Sequence, residues 1–178
     1  MSNEQIFYSI LCSIIASFIF LFLVLFFFKP KVRISPYICK GKFVDDDSTD
    51  YYFIKLVNVS LFSAYDISIE LLEVDRYPTS NGQMNNRFRP LTLVLNHVSH
   101  IPGYRPSWMR KNAPYAIRVR SAEDLSDILR NDYKSVMVKV SLRHGLTGLV
   151  KVHSKEYTDS DQIKNGKFGY GLKFGSFK

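Results

Sequence analysis

The distribution of apolar residues divides the chain into two unlike parts. From Ile6 to Phe28 no residue is charged, and after Phe28 continuous apolarity gives way to alternating apolar and polar positions. The first pattern is typical of a helix that crosses a membrane, and the second of half-buried β-strands. We therefore predict a single transmembrane α-helix followed by an all-β domain.

The apolar run has the length and flanks of an anchor. It contains 23 residues, and as a helix it would measure about 34 Å, against roughly 30 Å for the hydrocarbon core of a bilayer. A secretory signal peptide has a basic start and small residues before its cleavage point, whereas this segment begins SNEQ and ends LFFFKP. We interpret residues 1–28 as an uncleaved transmembrane anchor.

Basic residues lie on one side of the span only. None precedes it, and five lysines and arginines follow it before the first acid at Asp45. Because flanking Lys and Arg stay in the cytoplasm, we predict a single-pass protein of the cell (inner) membrane with its amino terminus outside. Lys29, Lys31 and Arg33 are candidate contacts for anionic lipid headgroups, each contributing on the order of 1 kcal/mol. The alternative is ordinary positive flanking of a span.

Three serines in the span, Ser9, Ser13 and Ser17, recur at every fourth position. Small residues at that spacing allow two membrane helices to approach closely, so this serine stripe is a candidate seam for a homo-oligomer. The alternative is that the serines are simply tolerated in a strongly apolar helix.

The rest of the chain predicts short strands. Along 65–71, for example, Tyr65, Ile67, Ile69 and Leu71 alternate with polar residues. Strands are also predicted at 33–39, 51–59, 89–96, 115–121, 135–142, 148–156 and 167–174. One short helix is expected to begin at Ser121-Ala-Glu-Asp124, which has the form of a capping box. Eight strands with turns between them indicate a sandwich or barrel.

Length and charge fit this organisation. The chain has 178 residues and a formal net charge of +8, and about 150 residues beyond the span suffice for one domain. We divide it into an anchor (1–28), a basic juxtamembrane segment with the first strand (29–43) and a cytoplasmic β-sandwich domain (44–178). The basic residues after the span account for part of the charge, so we expect no nucleic-acid partner.

Several segments occur in a familiar order. A basic cluster, KPKVR, follows the span directly, and after it come FIKLVN, APYAIRV, DLSDILRND, KSVMVKVSL, GLTGLVKVHSKEY and GKFGYGLKF. Over residues 29–174 this series resembles the cytoplasmic domain of inward-rectifier potassium channels. The resemblance implies an immunoglobulin-like β-sandwich that assembles as a tetramer. It also implies that Lys29, Lys31 and Arg33 occupy the position where that family binds anionic phospholipids.

The chain departs from that family at the pore. An inward rectifier has an outer helix, a pore helix and a filter before its inner helix, whereas five residues precede the span here. The tripeptide GYG at 169–171 resembles part of a potassium filter, but filter carbonyls belong to a loop at membrane depth. We therefore expect no selective channel from this chain alone.

No residue pattern indicates a reaction. The pair His97 and His100 lacks an acid or cysteine at ligand spacing, and nucleophile elbows and phosphate loops are absent from the sequence. We therefore expect no metal site, no cofactor and no enzyme activity.

One loop combines aromatic and cationic side chains suited to stacking and phosphate pairing. Its residues are Tyr104, Arg105, Trp108, Arg110 and Lys111. The loop is a candidate site for a ligand or protein partner. The alternative is that Trp108 folds back and closes one end of the domain.

These expectations leave more than one function open. In the first, the cytoplasmic domain senses a ligand or partner, oligomerises and acts on the span, as a membrane-disrupting bacterial defence effector would. In the second, the chain is a passive membrane anchor or scaffold, or an accessory subunit of a channel or transporter. An enzyme with an unrecognised site is the third.

Overall fold

The computed structural model describes residues 3–27, 31–43, 46–106 and 112–175. It begins with one long helix, α1 (Asn3–Phe27). Within it, the most apolar 18 residues of Asn3–Val24 have a mean hydropathy of 2.5, and none of them is buried against the described parts of the chain. The predicted apolar helix is therefore confirmed, and it is long enough to cross a bilayer.

Strands dominate the rest of the described chain. They are β1 (Val32–Ile34), β2 (Ile38–Phe43), β3 (Asp46–Asn58), β4 (Ala64–Pro78), β5 (Met84–Leu91), β6 (His97–Ile101), β7 (Ala116–Ser121), β8 (Lys134–His144), β9 (Val150–Tyr157) and β10 (Ile163–Asn165). A short helix, α2 (Leu125–Leu129), lies between β7 and β8.

The strands form two five-stranded sheets. In sheet A the order is β7-β3-β2-β10, and β1 pairs with the end of β3 beyond β2. In sheet B the order is β5-β4-β8-β9, and β6 pairs with the start of β4. Every pairing is antiparallel except that of β10 with β2. Strands β1 and β2, from the predicted juxtamembrane segment (29–43), share this sheet with β3.

The two sheets share one hydrophobic core. Alternate residues of β3 and β7, such as Ile54 and Val119, are buried together with alternate residues of β8, such as Val138 and Val140. Tyr157 of β9 is fully buried, and its hydroxyl donates to the carbonyl of Ser35, 2.7 Å away, between β1 and β2. The predicted all-β domain is thus confirmed as two sheets packed on a common core.

Most predicted strands agree with the observed ones, but the predictions at 33–39 and 89–96 differ from them. Residues 33–39 form parts of two strands, because the segment between β1 and β2 contains Pro36, which has no backbone N–H to donate. The prediction at 89–96 captured only the end of β5, and β6 was missed. Between them Val94 donates its N–H to the carbonyl of Arg120, 3.0 Å away, so the chain leaves sheet B for the edge of sheet A.

The predicted strand at 167–174 was wrong. Gly171 has a φ of +58°, which does not continue an extended strand, and residues 170–172 form a turn. The alternation that suggested a strand came from Gly169 and Gly171, which filled the apparent polar positions. This part of the chain instead covers the outer face of sheet A.

The predicted helix is confirmed as α2. Its N-cap is Asp124 and not Ser121, the first residue of the predicted capping box, and the Asp124 carboxylate accepts hydrogen bonds from the backbone of Ser126 and Asp127. The apolar side chains of Leu125, Ile128 and Leu129 are buried in the core, as their spacing predicted. Asp124 also accepts a hydrogen bond of 2.5 Å from the hydroxyl of Tyr52, which ties the helix to β3.

Candidate functional site

The outer face of sheet A is covered by the last described residues of the chain. We call residues 166–175 the carboxy-terminal segment. Lys55 of β3 points outward from the core, yet it is only 2% exposed because this segment lies over it. Its Nζ donates to the carbonyls of Gly169 at 2.7 Å and Lys173 at 2.9 Å. One buried ammonium group therefore holds two points of the segment against the sheet.

The environment of Lys55 disfavours its charge. Desolvation by burial, with a smaller contribution from the positive charge of Arg118, lowers the pKa of Lys55 from 10.5 to about 8. The ring of Phe174 lies 5.7 Å from Nζ, which is within the range of a cation–π contact. At neutral pH the side chain is a buried cation with carbonyls and a ring as its described partners.

Beside this contact, a cleft of about 520 Å³ opens between sheet A and the carboxy-terminal segment. Strands β2, β3 and β7 form its floor, and the segments after β5 and β10 form its walls. The lining residues are Cys39, Gly41, Lys42, Phe53, Val94, Leu95, Arg118, Arg120, Gly166, Lys167 and Phe168. Four of them are cationic, and no acidic residue belongs to this described lining.

Strand alternation explains why the cations meet. Across β3 and β7, Ile54 pairs with Val119 and both face the core, so Arg118 and Arg120 project from the opposite face. Arg120 lies opposite Phe53, and Phe53 lies opposite Cys39 of β2. Arg120 also lies over the ring of Tyr51 at 5.1 Å. The pairing of β7 with β3 therefore places the guanidinium groups of Arg118 and Arg120 beside the apolar floor of the cleft.

The cysteine in the floor, Cys39, is buried. Desolvation by burial raises the pKa of the Cys39 thiol to about 11, although Arg118 and Lys55 act in the opposite direction. Because the thiolate is the nucleophilic form, a thiol that stays protonated at neutral pH suits packing and not covalent catalysis.

The carboxy-terminal segment also reaches β1, the strand that follows α1. The guanidinium of Arg33 lies 5.2 Å from the centre of the Phe174 ring. The same segment therefore contacts the cleft through Phe168, β3 through Lys55 and β1 through Arg33. It connects the cleft to β1, the first strand after the apolar helix in the sequence.

The predicted serine stripe lies on one face of α1. The hydroxyl of Ser13 donates to the carbonyl of Ser9 at 2.9 Å, and that of Ser17 donates to the carbonyl of Ser13 at 2.8 Å. These hydroxyls are satisfied within their own helix. The stripe is therefore suited to close packing of a second helix, and its hydroxyls are not needed as hydrogen-bond donors to that helix.

The structure separates the predicted lipid contacts. Lys31 is exposed, and its carbonyl accepts from the N–H of Val59, whereas Arg33 packs on the carboxy-terminal segment. Lys29 lies outside the described residues. Of the three residues, Lys31 is thus placed at the end of the domain where the chain enters from α1.

The predicted aromatic and cationic loop lies near Lys31. The N–H of Tyr104 donates to the carbonyl of Ser60, next to Val59, and its ring packs edge-on against Tyr115 at 5.2 Å. Arg105 is exposed. Trp108, Arg110 and Lys111 lie outside the described residues. The described residues of the loop and Lys31 are therefore brought to the same end of the domain, and Lys31, Tyr104 and Arg105 are not among the residues that line the cleft.

Neither histidine of the sequence pair has a metal-like environment. His100 packs against the ring of Tyr65 at 5.0 Å. Within the described ranges, no group of three His, Cys, Asp or Glu residues is arranged to hold a metal ion.

Comparison with known proteins gives little further information. The chain matches no protein-family model and no curated protein sequence. Among solved structures, it is similar to a protein designated ApaA from Bordetella pertussis, with 12% identity over 72% of this chain and 90% of that one and a TM-score of 0.37. It is also similar to the structural genomics target SoR45, with 13% identity over 72% of this chain and 82% of that one and a TM-score of 0.35. Similarity at this level does not establish a shared function.

Proposed function

We propose that this chain is a non-enzymatic, single-pass membrane protein whose cytoplasmic domain binds an anionic ligand in the basic cleft and couples that binding to oligomerisation of the span. The observation that carries the proposal is the carboxy-terminal segment, which lines the cleft at Phe168 and packs on β1 at Arg33. A ligand that moves this segment would act on the strand that follows α1.

Three features support the membrane part of the proposal. The helix α1 is long and apolar enough to span a bilayer. Lys31 and Arg105 are exposed at the end of the domain where the chain continues from α1. Anionic headgroups would attract them there. The positive residues after the span favour a cytoplasmic domain and an outside amino terminus. Under this proposal, the inward-rectifier resemblance makes a tetramer built on an immunoglobulin-like sandwich the expected assembly.

The serine stripe is the seam through which the spans would associate. Replacing Ser9, Ser13 and Ser17 together with leucine adds bulk to that face and should prevent close approach. We expect the oligomer to dissociate to monomers, measured by light scattering in detergent, and any leakage of loaded liposomes to disappear. The domain should keep its unfolding transition.

A matched control alters the opposite helix face. The changes Ile15→Leu, Ile19→Leu and Phe22→Leu also introduce three leucines, and they should leave both mass and leakage unchanged. Unchanged mass and leakage in the serine variant would refute the seam. If exchange of the whole span for an unrelated one preserved function, the chain would instead be a passive anchor.

A further inference from the structure

The cleft under the carboxy-terminal segment has the chemistry of a particular ligand class. We propose that it binds a small, soluble phosphorylated molecule that carries an apolar or aromatic body, a proposal that rests on the proposed function above. The ligand would place its phosphate among the cations and its body on the apolar floor and wall.

The charge of the lining determines the polar end of the ligand. Lys42, Arg118, Arg120 and Lys167 line the cleft, and Arg118 and Arg120 project from the outer face of β7. Arginine presents a planar fork that binds phosphate oxygens in pairs, and lysine adds point charge. A cationic ligand would meet repulsion here, whereas a phosphate would gain several charge-assisted hydrogen bonds.

The remaining lining determines the other end. Phe53 and Phe168 contribute aromatic surface, and Val94 and Leu95 stay 57% and 42% exposed at the wall. Exposed aliphatic side chains beside a cavity gain free energy when an apolar group covers them. Inorganic phosphate would leave this surface uncovered, so the lining favours an ester with a body of its own.

Size and place favour a ligand from solution. A volume of about 520 Å³ lies within the usual range for small-molecule sites. Phe53 lies in the cleft, and Asn58, five residues farther along β3, pairs with Val32, the first residue of β1. The cleft is therefore about 17 Å along the strand from the point where β1 begins. A lipid held in the bilayer would have to bring its headgroup across that distance.

Glycine at position 41 provides a way to fill the cleft. A Cβ added at Gly41 would lie 3.5 Å from the carbonyl oxygen of Gly166, an ordinary contact, and its backbone is not in the left-handed region. The change Gly41→Val should therefore occupy ligand space without preventing folding.

Calorimetry on the full chain in phosphatidylcholine nanodiscs tests the proposal, with empty nanodiscs as the blank. The probes are 1-naphthyl phosphate, inorganic phosphate and 1-naphthol. We expect naphthyl phosphate to bind at least tenfold more tightly than either of the others. Arg118→Ala and Gly41→Val should each weaken it about tenfold or more, Arg118→Lys should weaken it less, and Arg143→Ala on sheet B should have no effect.

Each of the other possible results would refute a stated part of the proposal. Equal binding of inorganic and naphthyl phosphate, both lost in Arg118→Ala, would refute the ligand class but leave the anion site. Equal binding of 1-naphthol would refute both the class and the anion site, as would absence of binding by every probe. If phosphatidylglycerol in the nanodisc abolished the binding of naphthyl phosphate by the parent protein, the occupant of the cleft would be a lipid headgroup. Binding as expected without any change of oligomeric mass would refute the coupling alone.

Discussion

Lys55 is the residue on which the carboxy-terminal segment depends. A lysine that is 2% exposed, with carbonyls and a ring as its partners, costs solvation free energy that its two hydrogen bonds partly offset. The cost appears in its pKa, which burial lowers to about 8. This side chain should therefore make the stability of the domain depend on pH in a defined window.

We expect the free energy of unfolding to rise as the pH increases from about 8. Above pH 8 the folded chain has released a proton from Lys55 that the unfolded chain, with a pKa of 10.5, still holds. Where the unfolded state binds more protons, higher pH favours folding, here by up to about 1 kcal/mol per pH unit. Denaturant unfolding of the full chain in detergent, followed by the fluorescence of its single tryptophan, measures this slope.

The effect of Lys55 on the free energy of unfolding is best measured between pH 8 and 9. Burial raises the pKa of Cys39 from 9.0 to about 11, so above pH 9 the folded thiol retains a proton that the unfolded one loses, and stability from that group falls. Lys55→Met should abolish the rise between pH 8 and 9, and Cys39→Ser should preserve it. A rise that persists in Lys55→Met would show that another group causes it.

At the scale of elements, the sequence correctly predicted the strands and the helix whose buried residues recur at a regular spacing. Alternation located β3, β4, β7, β8 and β9, and the capping sequence located α2, because burial on one face imposes those periods. It failed at 167–174, where glycines imitated the polar positions of a strand. Whether a segment joins a sheet or covers one depends on partners far away in the chain, such as Lys55, and no local pattern carries that information.

The cleft was missed for the same reason. Its cations come from β2, β7 and the carboxy-terminal segment, and only the pairing of β3 with β2 and β7 brings them together. One local signal existed, since Arg118 and Arg120 occupy successive outward positions of a predicted strand. The aromatic and cationic loop was a more conspicuous pattern, but its described residues lie at the other end of the domain.

The cap of α2 gives a prediction at this scale. Asp124→Ala removes the acceptor for two helix N–H groups and for the hydroxyl of Tyr52. We expect the free energy of unfolding to fall by about 1–2 kcal/mol. Asp127→Ala, in the same helix but not at the cap, should cost less than about 0.5 kcal/mol. Equal losses in the two variants, measured by denaturant unfolding, would contradict the assigned role of Asp124.

At the scale of the whole molecule, the fold brings together three parts that lie far apart in the sequence. The cleft lies on the outer face of sheet A, the carboxy-terminal segment covers that face, and β1 leads back towards α1. A ligand can shift an equilibrium only by binding its two states differently. Here the difference would come from the wall of the cleft at Lys167 and Phe168, which belongs to the segment that moves.

The oligomeric mass of the full chain in detergent, measured by light scattering with and without 1-naphthyl phosphate, tests the central claim most directly. We predict that the ligand changes the mass of the parent protein and of Arg143→Ala, and that it leaves the mass of Arg118→Ala and of the triple serine variant unchanged. A parent protein that binds the ligand and keeps the same mass would contradict the coupling of cleft to span.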